Sequence, residues 1–233
     1  MSIIQVKAVS KRFGRQRILD EVSFTIDEPG IIALVGPNGS GKSTLLNCMV
    51  NLLDVDSGEI RLLGTDPKDV TVFNHVSYLK DNTVLYPYLT GWDHLAYAAK
   101  AYGLGKSRIK EVIQRIGIES YVHKKVGQYS LGMKQHLLLA LAILNNPQLI
   151  IMDEPLNGLD PSSILKVRHL LKELEAKGTT ILMSSHTLSE IDEVTNRILF
   201  LHNKQIRSEV LDSNVETAEQ RYVELYEAGG VRE

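Results

Sequence analysis

The chain has 233 residues, of which 43 % are hydrophobic and 23 % charged, with a formal net charge of -2. This composition is ordinary for a globular protein, and the charge leaves no basic excess, so we expect no nucleic-acid partner. The single cysteine, Cys48, excludes an internal disulfide and fits a reducing cytosol. The sequence shows neither a signal-peptide layout nor an apolar run of about 18 residues. Any membrane role would therefore need a partner.

The first part of the chain is predicted to consist mainly of strands. Three short strands are expected, at Ile3–Val9, Ile60–Leu63 and Val76–Leu79. Alternating apolar and polar residues predict a half-buried antiparallel strand over Ile18–Ile26. The polar segment Lys11–Gly14 predicts a turn that carries one aromatic residue, Phe13.

A glycine-rich turn follows the fully apolar strand predicted at Ile31–Val35. Its residues are Gly36, Pro37, Asn38, Gly39, Ser40, Gly41, Lys42, Ser43 and Thr44. They match the phosphate-binding P-loop pattern G-x-x-x-x-G-K-[ST]. The glycines let backbone N–H groups approach a phosphate, and a helix starting at Gly41 and running to about Leu53 adds its positive end. We therefore expect a bound nucleotide and Mg²⁺, with Lys42 at the β- and γ-phosphates and the Ser43 hydroxyl on the metal.

The pattern becomes mainly helical from Leu89 to Leu144. A first helix has its apolar face at Trp92, Leu95, Ala96, Ala99 and Tyr102. A second has its apolar face at Ile109, Val112, Ile113 and Ile116. A third helix, Leu137–Leu144, is apolar almost all round and is therefore expected to be buried. These helices predict an insertion of roughly 65 residues between two halves of a core.

The remaining pattern alternates strands and helices. Strands are expected at Leu149–Met152 and Thr179–Met183, helices at Ser162–Lys177 and Leu188–Val194, and a closing hairpin at Arg197–His202 and Gln205–Val210. Residues 212–233 are polar with weak helical character. Such alternation predicts an α/β fold whose parallel sheet is covered on both faces.

Two carboxylates, Asp153 and Glu154, follow the buried strand at its carboxyl end. Parallel sheets bind their ligands at that edge. Asp153 fits the acidic residue that holds Mg²⁺ directly or through water. Glu154 points elsewhere, and it can accept a proton from a water that attacks the γ-phosphate.

The segment Tyr129–Gln135, Y-S-L-G-M-K-Q, makes the resemblance specific. With the P-loop and the carboxylate pair, it makes the chain resemble an ABC transporter ATP-binding subunit over residues 6 to about 209. The segment resembles the family's signature sequence L-S-G-G-Q, in the form found in bacitracin- and lantibiotic-type exporters. Ser130 and Gly132 match positions that touch phosphate, and in the family they serve the nucleotide of the other subunit. By itself the segment would also fit an ordinary helix cap.

Other positions of this family are matched as well. Asp160, in Asn157–Asp160, resembles a loop residue at the subunit interface, and His186 resembles the switch histidine that hydrogen-bonds the γ-phosphate. Phe13 matches the aromatic residue that stacks on adenine; a packed turn aromatic is the less favoured alternative. Two positions depart from the family pattern. Asp81 stands where glutamine is usual and would still reach the metal, and His136 stands where an arginine commonly follows the signature.

The resemblance implies a P-loop NTPase fold of the ABC ATPase type, with a parallel core sheet, an antiparallel β subdomain and an inserted α-helical subdomain. We expect one ABC ATPase domain over 1–233. Its core would comprise 1–80 and 146–211, its helical subdomain about 81–145, and its C-terminal tail 212–233.

The expected function is that of the ATP-hydrolysing subunit of an ABC transporter that exports a peptide antibiotic, bacteriocin or drug-like substrate. Its partners would be an integral-membrane permease, docked on residues 81–105 with the rim Tyr86–Tyr88, and a second copy of the chain. It would lie on the cytoplasmic face of the membrane. An importer subunit and a soluble ABC ATPase remain alternatives, because the resemblance alone favours export.

Overall fold

Two β-sheets carry the fold in the computed structural model, which describes residues 2–212 and 215–226. The smaller sheet is antiparallel, has the order β2-β1-β4, and comprises β1 (Ile4–Phe13), β2 (Gln16–Ile26) and β4 (Ser57–Leu62). One face of β2 supplies the apolar side chains that the alternation predicted, since Leu19, Val22 and Phe24 are buried.

The larger sheet has six strands in the order β5-β6-β7-β3-β8-β9. They are β3 (Ile31–Val35), β5 (Val76–Leu79), β6 (Leu149–Met152), β7 (Thr180–Ser185), β8 (Arg197–His202) and β9 (Gln205–Val210). All neighbouring pairs are parallel except β8–β9, which is antiparallel. The carboxyl ends of β3, β5, β6 and β7 therefore meet at one edge of the sheet.

Seven α-helices are described within residues 2–212 and 215–226. They are α1 (Lys42–Met49), α2 (Gly91–Ala101), α3 (Lys106–Ile116), α4 (Leu131–Ala142), α5 (Pro161–Ala176), α6 (Leu188–Asp192) and α7 (Ala218–Tyr226). Helices α2 to α4 lie between β5 and β6 in the chain, where the helical insertion was predicted. The division into core, helical subdomain and tail stays a prediction.

The buried side chains form three clusters. One cluster joins α2 to α5 to one face of the six-stranded sheet, and Leu95, Leu137 and Leu171 are fully buried in it. A second fills the space between the two sheets around α1 and contains Cys48. A third, smaller cluster holds α6 and α7 against β3 and β8. The P-loop and the ends of β6 and β7 are thus supported by packed layers on both faces of the sheet.

Three sequence-based expectations are wrong in detail. Residues 11–13 continue β1, because Arg12 and Phe13 pair with Arg17 and Gln16 of β2 and leave only a tight turn between the strands. Helix α1 ends at Met49 rather than near Leu53, since Asn51 adopts a left-handed conformation with φ 56°. Helix α4 begins at Leu131, six residues before the apolar run that predicted it, because a polar first turn precedes that run.

The polar tail forms a helix, α7, over part of its length. Residues 213–214 and 227–233 of the predicted tail lie outside the described residues. Among the described residues, no helix is both long enough and apolar enough to cross a membrane.

Candidate nucleotide-binding site

The P-loop connects β3 to α1 and curls around the side chain of Lys42. The Lys42 ammonium is buried and donates hydrogen bonds to the carbonyl oxygens of Gly36 at 2.7 Å and Pro37 at 3.3 Å. Gly41 precedes the helix with φ 109°, and a Cβ there would lie 2.8 Å from Ile18 Cγ2. Glycine is thus required for this turn both by its conformation and by the close approach of β2.

A cavity of about 230 Å³ opens in front of the P-loop. It is lined by Phe13, Ile18, Asn38, Gly39, Gly41, Lys42, Ser43, Thr44 and Glu154. The Phe13 ring is 49 % exposed, and Lys11 Nζ lies 5.7 Å from its centroid. Phe13 is thus about half exposed and lines the same cavity as the phosphate-binding turn. Its stacking on adenine stays a prediction.

Ser184 of β7 joins the two carboxylate residues that follow β6. Its hydroxyl donates to Asp153 Oδ1 at 2.6 Å and accepts the Glu154 backbone N–H at 2.9 Å. Glu154 has φ 53°, a left-handed conformation that costs a non-glycine residue roughly 1–2 kcal/mol. The fully buried hydroxyl holds this strained backbone in place, and it fixes one oxygen of Asp153 at the sheet edge.

The Glu154 side chain lies between two groups that were predicted to act on the γ-phosphate. Its Oε2 contacts His186 Nδ1, and its Oε1 lies 3.8 Å from Lys42 Nζ. Burial lowers the pKa of Lys42, and the nearby carboxylates of Glu154 and Asp153 oppose that effect. The structure therefore brings Lys42, Asp153, Glu154 and His186 together at one edge of the sheet.

Asp81 lies close to the same edge but has a partner of its own. The Asp153 backbone N–H donates to Leu79 O at 2.9 Å, which places the end of β5 beside the end of β6. The exposed Asp81 carboxylate accepts hydrogen bonds from the Thr83 backbone N–H at 2.9 Å and from the Thr83 hydroxyl. These bonds lower the pKa of Asp81. They engage Oδ1, and a metal contact by Asp81 stays a prediction.

The signature residues lie elsewhere and do not line the P-loop cavity. Ser130 is the N-cap of α4, where its hydroxyl accepts the Met133 backbone N–H at 3.2 Å. A Cβ on Gly132 would lie 3.8 Å from Leu159 Cδ2, so the start of α4 packs against the loop before α5. No contact joins Ser130 or Gly132 to the P-loop of the same chain among the described residues.

Asp160 is the N-cap of α5. Its carboxylate accepts hydrogen bonds from the backbone N–H groups of Ser162 at 3.0 Å and Ser163 at 3.2 Å, and from both hydroxyls. These bonds lower the pKa of Asp160 below its usual range. Asp160 therefore has the helix-capping position that its sequence suggested, and its role at a subunit interface stays a prediction.

Two polar residues with positions in this site were not singled out from the sequence. Ser184 lies two residues before His186, directly after the strand predicted at Thr179–Met183. Gln135 is buried and donates from Nε2 to Pro155 O at 2.7 Å, which ties α4 to the loop after Asp153. Gln135 is the last residue of the segment Tyr129–Gln135, and that position was the available signal for it.

No group of three or more His, Cys, Asp or Glu side chains gathers around a common point in residues 2–212 and 215–226. A hydroxyl, one or two carboxylates and a phosphate-shaped turn are the groups at this edge, as expected of a P-loop NTPase.

Comparison with known proteins defines the class more narrowly. The family model described as ABC transporter matches residues 19–157. A relative in Bacillus subtilis (strain 168), the uncharacterized ABC transporter ATP-binding protein YdbJ, is 38 % identical, with 96 % of this chain and 74 % of the relative covered. The chain therefore belongs to the ABC transporter family. It is an ATP-binding subunit of the ABC ATPase type, as the resemblance implied.

The names of two further relatives state what they transport. The bacitracin transport ATP-binding protein BcrA of Enterococcus faecalis is 34 % identical, with 96 % of this chain and 74 % of the relative covered. The lantibiotic transport ATP-binding protein SrtF of Streptococcus pyogenes is 32 % identical, with 88 % of this chain and 89 % of the relative covered. The expected similarity to bacitracin and lantibiotic transport subunits is thus confirmed.

Solved structures agree with the fold. An ATP-binding subunit of an ABC transporter has a TM-score of 0.87 and 31 % identity, with 96 % of this chain and 99 % of that chain covered. A dimeric ATP-binding cassette in a post-hydrolysis state, bound to ADP and Pi, has a TM-score of 0.81 and 26 % identity, with 90 % and 99 % covered. These structures confirm the predicted α/β ABC ATPase fold, and ATP binding and hydrolysis are the activities of this class.

Proposed function

We propose that this chain hydrolyses ATP with Glu154 as the general base and powers export through a separate permease. The observation that supports this most directly is the position of Glu154, whose side chain contacts His186 and lies 3.8 Å from Lys42 Nζ. A general base must reach the proton that it abstracts. A carboxylate between the P-loop lysine and the switch histidine is placed to receive the proton of a water attacking the γ-phosphate.

The other residues of this edge bind and orient in the same scheme. Lys42 exchanges its bonds to loop carbonyls for the β- and γ-phosphates, and Phe13 stacks on the adenine. One ring nitrogen of His186, Nε2, donates a hydrogen bond to the γ-phosphate. The other, Nδ1, contacts the Glu154 carboxylate and orients it. Ser184 keeps Asp153 and the Glu154 backbone in register without touching the nucleotide.

Mg²⁺ fits the donor set at this edge. The Ser43 hydroxyl, Asp153 and Asp81 offer only oxygen atoms, which this hard cation prefers, and Mg²⁺ sites commonly combine one or two carboxylates with substrate phosphates. Ser43, Asp153 and Asp81 would hold the ion. When bound, it neutralises negative charge on the phosphate oxygens.

The complete site requires a second copy of the chain. Ser130, Gly132 and Asp160 lie away from the P-loop cavity of their own chain, yet they match positions that face nucleotide or the subunit interface in the family. A twofold pair places each chain's signature residues against the other's ATP. The solved dimer of a related cassette supports this arrangement.

Export through a permease rests on the names of the relatives and on an exposed surface. The two named relatives transport bacitracin and lantibiotics, respectively. Tyr86, Tyr88 and Tyr97 are 56 %, 65 % and 79 % exposed, and a groove of about 390 Å³ in the same part of the chain includes Val84 and Tyr102. We propose that this surface, on the cytoplasmic face of the membrane, receives the permease. Copurification with DNA or ribosomes and no membrane protein would instead favour the soluble alternative, and a separate substrate-binding protein would favour import.

The decisive experiment on the chemistry is Glu154→Gln. The amide is nearly isosteric but cannot accept the proton, so ATPase turnover should fall by about 10²–10⁴-fold. ATP should still bind, and the variant should accumulate as an ATP-bound dimer in gel filtration. Glu59→Gln is the matched control, because Glu59 is an exposed acid paired with Lys7 at 3.3 Å. Turnover of Glu154→Gln near that of the control would remove Glu154 from this role.

A further inference from the structure

A second cavity, of about 380 Å³, lies where α3 and α4 meet α5. It is lined by Gln114, Arg115, Ile116, Gly117, His136, Leu139, Lys166, Val167, His169, Leu170 and Glu173. None of these residues lines the P-loop cavity. One of them, His136, stands where the family commonly has arginine. The cavity therefore coincides with a departure of this chain from the family's signature pattern.

Three nitrogen atoms of the lining residues are buried without a hydrogen-bond partner. They are Arg115 Nε, Arg115 Nη2 and His136 Nε2. Arg115 Nη2 nevertheless lies 3.1 Å from Glu173 Oε1 and forms an ion pair with it, so of the three nitrogens Arg115 Nε and His136 Nε2 are the ones without a protein partner. The other ring nitrogen, His136 Nδ1, lies 3.3 Å from the Tyr121 hydroxyl. Buried polar groups without partners are rare, and such groups call for an unseen ligand or water.

The charges of the lining residues indicate the sign of the charge that such a ligand would carry. Arg115 and Lys166 are permanent cations, and the imidazoles of His136 and His169 add positive charge when protonated. Glu173 is the one carboxylate of this lining, and Lys177 holds it at 2.7 Å from outside the cavity. Burial lowers the pKa of His136, as does the positive charge of Lys166, whereas Asp160 opposes the shift. This shift favours the neutral imidazole, so the positive charge of the lining rests on Arg115 and Lys166, which outnumber the single carboxylate of Glu173 and favour an anion.

We propose that this cavity binds a small oxyanion, in the form of a phosphate ion or a phosphate group. Arg115 Nε can donate to one oxygen of the anion, while Nη2 of the same planar guanidinium stays paired with Glu173 and fixes its orientation. Lys166 from α5 and His136 Nε2 from α4 supply further donors, so the ligand joins three helices. A phosphate ion is a few times larger than a water molecule, which occupies about 30 Å³, so it fits the volume.

The presence of histidine at position 136 makes the site possible. An arginine there would place its own guanidinium among Arg115 and Lys166, which would fill the space and repel both cations. Histidine is shorter and leaves its Nε2 unpartnered at the cavity wall. His136→Arg should therefore abolish anion binding without touching any group of the nucleotide site.

The test follows the ring signals of His136 by NMR in the full chain during titration with inorganic phosphate. Phosphate also binds P-loops, so the titration is repeated in a Lys42→Ala background, which removes that site and leaves this one. We expect a saturable shift of the His136 signals with a dissociation constant of about 1 mM, and a higher His136 pKa in the phosphate-bound form. A parallel titration with glycerol phosphate distinguishes the two forms of the ligand. If the natural ligand is an organic phosphate, glycerol phosphate should bind more tightly than inorganic phosphate; if it is the free ion, it should not.

Variants on α5 supply the matched comparison. Lys166→Gln, an exposed position, should weaken phosphate binding about tenfold, whereas Lys172→Gln, on the same helix but paired with Glu175, should leave it unchanged. His136→Arg should lose phosphate binding at this cavity. Absence of a saturable His136 shift, or equal shifts in the Lys166→Gln and Lys172→Gln variants, would overturn the proposal.

Discussion

The P-loop region and the signature region both contain helix N-termini. They differ in whether a side chain of the same chain caps the free backbone N–H groups at the helix start. At α1 the N-cap is Gly41, and no side chain caps the helix. At α4 and α5 the N-caps are Ser130 and Asp160, whose side chains accept N–H groups of their own helices. The first helix end is open to a ligand, and the other two are closed by the chain itself.

This difference indicates how each region can meet a nucleotide. Uncapped N–H groups and the positive end of α1 can bind phosphate within one chain. In the signature region the N–H groups are partly satisfied, so a phosphate would meet a serine hydroxyl and a glycine backbone rather than an open helix end. The signature region is thus a stable helix start in the isolated chain, and its proposed role appears only when a second copy supplies the ATP.

The largest effect should come from a substitution that preserves the cap and changes the charge at the signature region. Ser130→Asp keeps N-cap stability, because aspartate caps about as well as serine. It places a carboxylate against the partner's γ-phosphate, so ATPase activity should fall by about 100-fold, equivalent to about 2.7 kcal/mol of barrier. ATP binding by the single chain, measured by calorimetry, should be unchanged.

Ser107→Asp is the matched control for that experiment, since Ser107 lies in the exposed first turn of α3. It should leave ATPase activity unaltered. If Ser130→Asp behaved like the control, the serine would be a helix cap only, and the contrast between the two regions would lose its functional meaning.

The second-largest effect is expected at Ser184, which supports the two carboxylate residues beside the P-loop. Ser184→Ala removes the bond to Asp153 and leaves the Glu154 N–H without its acceptor, so stability should fall by about 1–3 kcal/mol. Turnover should fall about tenfold, because the strained Glu154 backbone loses its anchor. ATPase assays and chemical denaturation measure the two effects. Ser185→Ala is the control, because that hydroxyl bonds only to the Thr187 backbone; an equal loss there would contradict the anchoring role.

A smaller effect is expected at the adenine platform. Phe13→Ala should raise the KM for ATP about fivefold, since base–aromatic stacking contributes roughly 1 kcal/mol. Turnover at saturating ATP should change little, and Phe13→Tyr should retain the affinity. A loss of thermal stability without a change in KM would instead show that the ring serves β1–β2 packing.

The smallest effect is expected at Asp81. In Asp81→Asn the new amide oxygen would still accept the Thr83 N–H, so this substitution isolates the carboxylate charge. If Asp81 reaches the metal, half-maximal ATPase activity should require about threefold more Mg²⁺. Asp69→Asn is the control, because Asp69 caps Thr71 in the same manner at 3.0 Å. Identical Mg²⁺ curves for the two variants would assign Asp81 to the turn alone.

Much of the fold and the candidate site could be predicted from the sequence because their signals are local. The buried strand Ile31–Val35, the glycine turn and the helix after it form one continuous pattern, and strand β6 is a fully apolar run that ends at two acids. Helix starts were harder to predict. The first turn of α4 is polar and has no apolar periodicity, so the sequence pattern missed the first six residues of this helix.

The sequence by itself determined which residues stand at the carboxyl ends of the buried strands, because strand, turn and helix are encoded by neighbouring residues. Only the tertiary structure decided which of these ends touch. Ser184 reaches Asp153 across 31 positions, and Lys42 approaches Glu154 across a larger gap, because β6, β7 and β3 are neighbours in the sheet. The cavity at His136 likewise exists only where three helices converge. This cavity arises from packing between segments that are distant in the chain, so it cannot be predicted from a local sequence pattern.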